Sequence, residues 1–228
     1  MNQCYSTKLR FFISLLFFML LACPFVNAES KVSQILKDVV ENHKQFTEGM
    51  SVPYQREILT KSMAILEEDI GLDKASGIFF FKEPNFLKVQ QDTPGREYVI
   101  SNGKSIWWYV PDEKTAYRFD NMGKELSILS MIFTGLKNPE DDFYVTIAGP
   151  ENVKECILTL TPKESLEEID FIKVTLSEKK YNITRIEIID IAGNLTRFKL
   201  GEFEQKKDLD DSFFDFKVPD DVKVIEEE

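Results

Sequence analysis

Apolar residues recur along this chain in two rhythms. Val32, Ile35, Leu36, Val39 and Val40 fall at i, i+3, i+4, i+7 and i+8, with Lys31, Lys37, Asp38 and Glu41 between them. That spacing puts one apolar stripe on an amphipathic helix, predicted over about Lys31 to Phe46 and ended by Gly49 and Pro53. From Tyr54 the rhythm turns to strand, because Tyr54, Arg56 and Ile58 alternate. Met63-Ala64-Ile65-Leu66 fits either a strand or a helix, and Gly71 to Gly77 reads as a polar turn region. Three hairpins follow. Ile78 to Lys82 meets Phe86 to Gln90 across Glu83-Pro84-Asn85. Tyr98-Val99-Ile100 meets Ser105 to Val110 across Asn102-Gly103, a strong short-range hairpin signal. Ile106 to Val110 then turns at Pro111-Asp112 into Thr115 to Phe119.

Two runs, Ile78-Phe79-Phe80-Phe81 and Ile106-Trp107-Trp108-Tyr109, place bulky residues on both faces of a strand. Such a sheet must be covered on both sides, at least locally. Between the hairpins and the later strands lies Glu125 to Leu136, with Leu126, Ile128, Leu129, Met131, Ile132 and Phe133 between Gly123 and Gly135, and Leu136 just after. That helix is too apolar all round for a surface position and should lie in or over a hydrophobic concavity. Strands resume at Phe143 to Ala148, Glu155 to Thr161, Phe171 to Ser177, Thr184 to Ile191 and Leu195 to Phe203, with turns at Lys179-Lys180 and Gly193-Asn194. The expected fold is mainly β with α: a strongly curved antiparallel sheet of about ten strands forming an incomplete, open β-barrel. The N-terminal helix and a lid helix would fill its mouth.

The start of the chain bears on compartment. Lys8 and Arg10 precede an apolar run from Phe11 to Leu21, and Val26-Asn27-Ala28 then offers small residues before Glu29. That order is expected of a cleavable secretory signal at 1–28, cut after Ala28, ahead of a single domain at 29–228. Leu20-Leu21-Ala22-Cys23 offers an alternative, since it resembles the sequence before a cysteine that is acylated to anchor a bacterial lipoprotein. The whole chain carries 39 acids against 28 bases; without Lys8 and Arg10 the bases number 26 and the formal charge is −13. A surface that acidic argues against nucleic acid and against electrostatic docking on anionic lipid. Beyond residue 28 only Cys156 remains, so no internal disulfide is expected. The C-terminal Glu226-Glu227-Glu228 reads as a solvated tail.

Nothing in the pattern points to catalysis. The only histidine is His43, on the border of the first helix, and no Ser, His and acid arrangement accompanies it. Cys and His spacing for a metal is absent, so neither metal nor cofactor is expected.

The strand region resembles the LolA-type periplasmic carriers of outer-membrane lipoproteins. The likeness rests on Ser76-Gly77-Ile78-Phe79-Phe80-Phe81-Lys82-Glu83-Pro84-Asn85, on Val99 to Asp112 with its Asn102-Gly103-Lys104 turn and aromatic strand, on Leu158 to Lys163, and on Phe214 to Ile225. The resemblance implies a monomeric carrier that takes triacylated lipoproteins from an inner-membrane lipoprotein-releasing ABC transporter. It would shield their acyl chains across the periplasm and pass them to an outer-membrane acceptor. Expected cavity residues are Phe79, Phe81, Leu87 and Val89, which share one parity, and Trp107 and Tyr109 rather than Ile106 and Trp108. Expected lid residues are Ile128, Leu129, Met131, Ile132 and Phe133; the alternative is a permanently packed core helix. The family commonly has Arg before the hairpin Pro, where it bonds the lid, whereas this chain has Glu83. An ionised Glu donates no hydrogen bond. The latch would then be weaker, or Lys82 or Lys88 would replace it, or the cargo would differ. With Cys23 acylated, the same fold would be a tethered acceptor similar to LolB. A lipid sensor of the RseB type would need a second domain, for which the chain has no room.

Overall fold

A computed structural model describes residues 31–61, 73–120, 124–148, 155–166, 168–177 and 181–227. The export segment at 1–28 with Cys23, the ambiguous Met63–Leu66 and the Lys179-Lys180 turn lie outside the described residues, as does the side chain of Leu126. The first stripe forms helix α1, Lys31–His43, which buries Ile35, Leu36 and Val39 and continues as a 3₁₀ turn at Lys44–Phe46. Strands β1 (Met50–Leu59), β2 (Asp73–Lys82), β3 (Phe86–Thr93), β4 (Glu97–Asn102), β5 (Ile106–Val110) and β6 (Thr115–Phe119) follow. Helix α2, Lys124–Phe133, interrupts the meander. Then come β7 (Phe143–Ala148), β8 (Glu155–Pro162), β9 (Ile169–Ser177), β10 (Ile183–Asp190), β11 (Leu195–Leu200), the short β12 (Glu204–Gln205) and β13 (Lys223–Glu227).

Among the described residues thirteen strands form one sheet, ordered β13-β6-β5-β4-β3-β2-β1-β11-β10-β9-β8-β7, with β12 beside β1. The sheet curves without closing, so β13 and β7 form its two edges. Two antiparallel meanders meet at β1, which pairs β2 on one side and β11 on the other. Pro53 sits inside this central strand without breaking it. It lies where β1 passes from β12, paired at Met50 and Ser51, to β11, paired from Tyr54 onward. Its missing N–H ends the paired bonding at that point, while the Pro53 carbonyl still accepts from Gly201 N at 2.8 Å.

Three expectations change. The stretch read as a polar turn up to Gly77 is strand from Asp73, because β1 and β3 flank it and supply backbone partners that outweigh its weak strand propensity. Gly77 is required there: a Cβ would stand 1.9 Å from the Gln90 carbonyl oxygen, beside a register shift in the β2–β3 ladder. The acidic end is not a free tail, since Glu226 and Glu227 belong to β13. β13 is also the exception to the antiparallel rule, running parallel to β6 with Arg118 bonding Glu226 at 3.4 Å.

Candidate functional site

Cross-strand register determines which side chains share a face. Phe79 opposes Val52 on β1 and Val89 on β3, and Phe81 opposes Met50 and Leu87. The row continues from Val89 through Val99 and Trp108 to Tyr117. In the other direction Arg56, Phe198, Ile186, Val174, Leu158 and Ile147 form a continuous row across six strands. This is the face that the helices cover. Ile35, Leu36 and Val39 of α1 join one buried cluster with Phe79, Phe81, Leu87 and the inner residues of β8 to β10, and Val89 packs against it half-buried. Tyr54 stacks on Phe79 with ring centres 4.3 Å apart. Burial pushes the Tyr54 phenol up to about 12, so it stays neutral.

Helix α2 lies on the same face. Ile128, Leu129, Ile132 and Phe133 are buried, and Met131 is half-buried. Phe133 packs 5.1 Å from Phe79 and 6.0 Å from Phe81, centre to centre. The helix ends on Gly135, whose φ of 78° favours glycine. Leu136 N donates to the Met131 carbonyl and Gly135 N to the Ile132 carbonyl, both at 3.0 Å, while Leu136 itself is buried. This is a Schellman stop with its apolar anchor. Under that turn lies His43, 3% exposed. A Cβ on Gly135 would come within 2.7 Å of the His43 Cβ, so the ends of α1 and α2 are in close contact. His43 is paired on one side of its ring only. Nδ1 lies 2.9 Å from the Val39 carbonyl, whereas Nε2 is buried without a partner.

The outer side of α2 faces an open groove of about 730 Å³, lined by Glu83, Asn85, Met131, Lys163 and Leu166 among others. Here the helix meets the first hairpin. The Ser130 hydroxyl lies 3.5 Å from the Pro84 carbonyl and 3.4 Å from Asn85 Oδ1, both long for hydrogen bonds. The polar link therefore runs from helix to turn, the reverse of an arginine reaching from the turn. Lys82 and Lys88 do not take over that role. Lys82 Nζ bonds the Leu209 carbonyl at 3.0 Å and Asp211, and Lys88 Nζ stands 4.2 Å over the Phe213 ring. Burial on that far face lowers the Lys88 pKa. Ser130 was not singled out in the sequence, since a serine in an apolar helix carries no mark of what it faces.

Trp107 and Tyr109 correct the cavity expectation. They fall on the face opposite Phe79, while Ile106 and Trp108 take the helix-covered one. The two aromatics pack on Phe216, at 5.3 and 5.1 Å between ring centres. Phe213 and Phe214 likewise cover Phe80 and Phe86, and Phe214 is 1% exposed. The 3₁₀ turn Asp211–Phe214 and the residues after it thus strap the outer face, which is why both faces of β2 to β5 are apolar. Among the described residues no group of three or more His, Cys, Asp or Glu side chains could hold a metal ion, and no helix is long and apolar enough to cross a membrane.

Comparison with known proteins gives a consistent picture. Residues 66–217 match the family described as "Outer membrane lipoprotein carrier protein LolA". An outer-membrane lipoprotein carrier protein of Azotobacter vinelandii is 27% identical over 157 residues, spanning 68% of this chain and 74% of that one. One from Pseudomonas paraeruginosa is 26% identical over 158 residues, with the same coverage of 68% and 74%. In fold, an uncharacterized conserved protein from Thermus thermophilus superposes with a TM-score of 0.52 at 12% identity, covering 87% of this chain and 100% of that one.

Proposed function

The chain belongs to the LolA family of outer-membrane lipoprotein carriers, and from that premise we propose that it binds lipoprotein acyl chains on its helix-covered face, beneath α2. Carriers of this family are not enzymes. The observation that carries the reading is the way α2 is held. Its apolar side lies on Phe79 and Phe81, and its Ser130 hydroxyl meets the first hairpin through two long contacts. Burying Ile128, Leu129, Ile132 and Phe133 is worth on the order of 8 kcal/mol, at about 2 kcal/mol each. An acyl chain of about 16 carbons gains on the order of 12 kcal/mol by leaving water. The two are comparable, so a chain can displace the helix without being trapped. The half-buried Met131, facing the groove, suits repeated repacking.

Phe79, Phe81, Leu87 and Val89 are then the acyl-binding residues, and Ile128, Leu129, Met131, Ile132 and Phe133 the lid. Export with cleavage after Ala28 would place a soluble monomer in the periplasm. It would take cargo from an inner-membrane lipoprotein-releasing ABC transporter and give it to an outer-membrane acceptor. Two mass measurements test this. Gently purified protein should carry acylated molecules; their consistent absence would sink the carrier reading. Intact mass should begin at Glu29; three acyl groups on Cys23 would make the protein a tethered acceptor instead.

A further inference from the structure

One polar cluster on the helix-covered face has no role in packing α1 or α2. The apolar row Val89, Val99, Trp108, Tyr117 is followed, one inward position nearer the far end of the strands, by Gln91 on β3 and Glu97 on β4. Glu97 is held from two sides. Its Oε1 accepts from Gln91 Nε2 and its Oε2 from Trp108 Nε1, both at 3.0 Å. Gln91 is 6% exposed and is itself fixed, its amide also reaching the Gly95 carbonyl at 3.2 Å. Among the described residues Glu97 has no ion-pair partner. An ionised carboxylate offers about four lone-pair sites, so two remain open. Trp108 stays 37% exposed although its ring stacks on Tyr117, at 5.0 Å between centres. Arg56, also on this face, is turned to Asp73 at 3.2 Å, and among the described residues its buried Nε has no partner.

A fixed carboxylate beside a half-open indole, with Arg56 paired to Asp73 and Arg96 to Asp112, is complementary to an ammonium group. Resting on the carrier reading, we propose that this end of the face binds the free α-ammonium of a diacylated lipoprotein, one whose N-terminal cysteine carries a diacylglyceryl thioether but no amide-linked chain. The acyl chains would run along Val89 and Val99 toward Phe79, and the ammonium would sit between Glu97 and the Trp108 ring. A triacylated cargo, whose terminal nitrogen is a neutral amide, would bind by its chains without this contact. A phospholipid headgroup is a weaker fit, because its phosphate would face Glu97 with Arg56 already paired.

The test uses the exported full-length protein carrying Trp107→Phe, so that Trp108 emission reports the site. Probes are a synthetic diacylated lipopeptide with a free amino terminus, the same lipopeptide N-acetylated, its triacylated form, and short-chain phosphatidylethanolamine. The free-amine lipopeptide should bind about tenfold or more tighter than its N-acetylated twin, a ratio that needs no Glu97 variant. Glu97→Gln should abolish that ratio while leaving the triacylated form unaffected. Equal binding of the free-amine and N-acetylated forms overturns the proposal and leaves the carrier reading standing. Tighter binding of phosphatidylethanolamine than of the free-amine lipopeptide, lost in Glu97→Gln, overturns it in favour of a phospholipid. Failure of every acylated probe to bind overturns the carrier reading, and this proposal with it.

Discussion

His43 is buried at the end of α1 with its Nε2 unpartnered, and burial lowers its pKa against the weaker opposing pull of the Val39 carbonyl. A base whose folded pKa lies below its unfolded value binds fewer protons folded than unfolded. Its contribution to stability is therefore full above the unfolded pKa of about 6.5 and falls as pH drops through the window below it. The slope is at most about 1.4 kcal/mol per pH unit for one group. The chain has one histidine, so denaturant melts between about pH 6.5 and 5 isolate it from the carboxylates, which titrate lower. His43→Phe, whose ring suits a position between Phe46 and Phe203, should flatten that slope. An unchanged slope would mean the ring is solvated in the folded state. Glu83 gives a second residue-scale expectation. It lines the groove beside the hairpin turn that Ser130 faces. Glu83→Arg would bring a donor to that turn and should stabilise the closed form by about 0.5–1.5 kcal/mol. Lipopeptide uptake, followed by stopped flow, should slow; faster uptake would count against a latch at this turn.

At the scale of one element, α2 decides between lid and core. Leu129→Glu and Phe133→Glu each put a charge against an apolar face, which is strongly unfavourable. A lid escapes by lifting off the sheet, so far-UV circular dichroism should keep its strand signal while lipopeptide binding drops. Loss of the strand signal would identify α2 as part of the permanent core. The existence of α2 was readable in the sequence from its apolar run and Gly135, and so were the hairpins, because Pro84, Gly103 and Pro111 punctuate them. The facing of β5 was not. Ile106-Trp107-Trp108-Tyr109 is bulky on both sides, and alternation carries no information when both faces are covered. Which aromatics turn toward the helices depends on Phe213, Phe214 and Phe216, more than a hundred residues later. The contact between α2 and the first hairpin was equally hidden: Ser130 meets the Pro84 carbonyl forty-six residues away in sequence.

The whole molecule is one open sheet with different tasks on its two faces. The outer face of β2 to β5 is closed by the C-terminal strap, tied by Lys82 to Leu209 and Asp211 and by Asn102 to Asp215. Farther round, the outer face is a charged ladder in which Arg197 bonds Glu187 at 2.8 Å and Lys199 bonds Glu57 at 3.1 Å. On the proposed carrier reading, the helix-covered face must by contrast be packed well enough to fold and loosely enough to exchange a helix for acyl chains. Truncations on the two faces should therefore separate stability from binding. Phe214→Ala removes a ring that is 1% exposed and should cost about 3–5 kcal/mol. Once corrected for the folded fraction, its lipopeptide affinity should match that of the parent protein. Phe79→Ala removes an equally buried ring that touches Tyr54, Phe133 and Phe198. It should lower stability by a similar amount and change affinity as well, because the vacated space lies where the chains would bind. Denaturant melts paired with lipopeptide titrations measure both quantities. Equal effects of the two variants on affinity would show that the strap and the acyl-binding face are coupled, and the separation of tasks between the two faces would have to be abandoned.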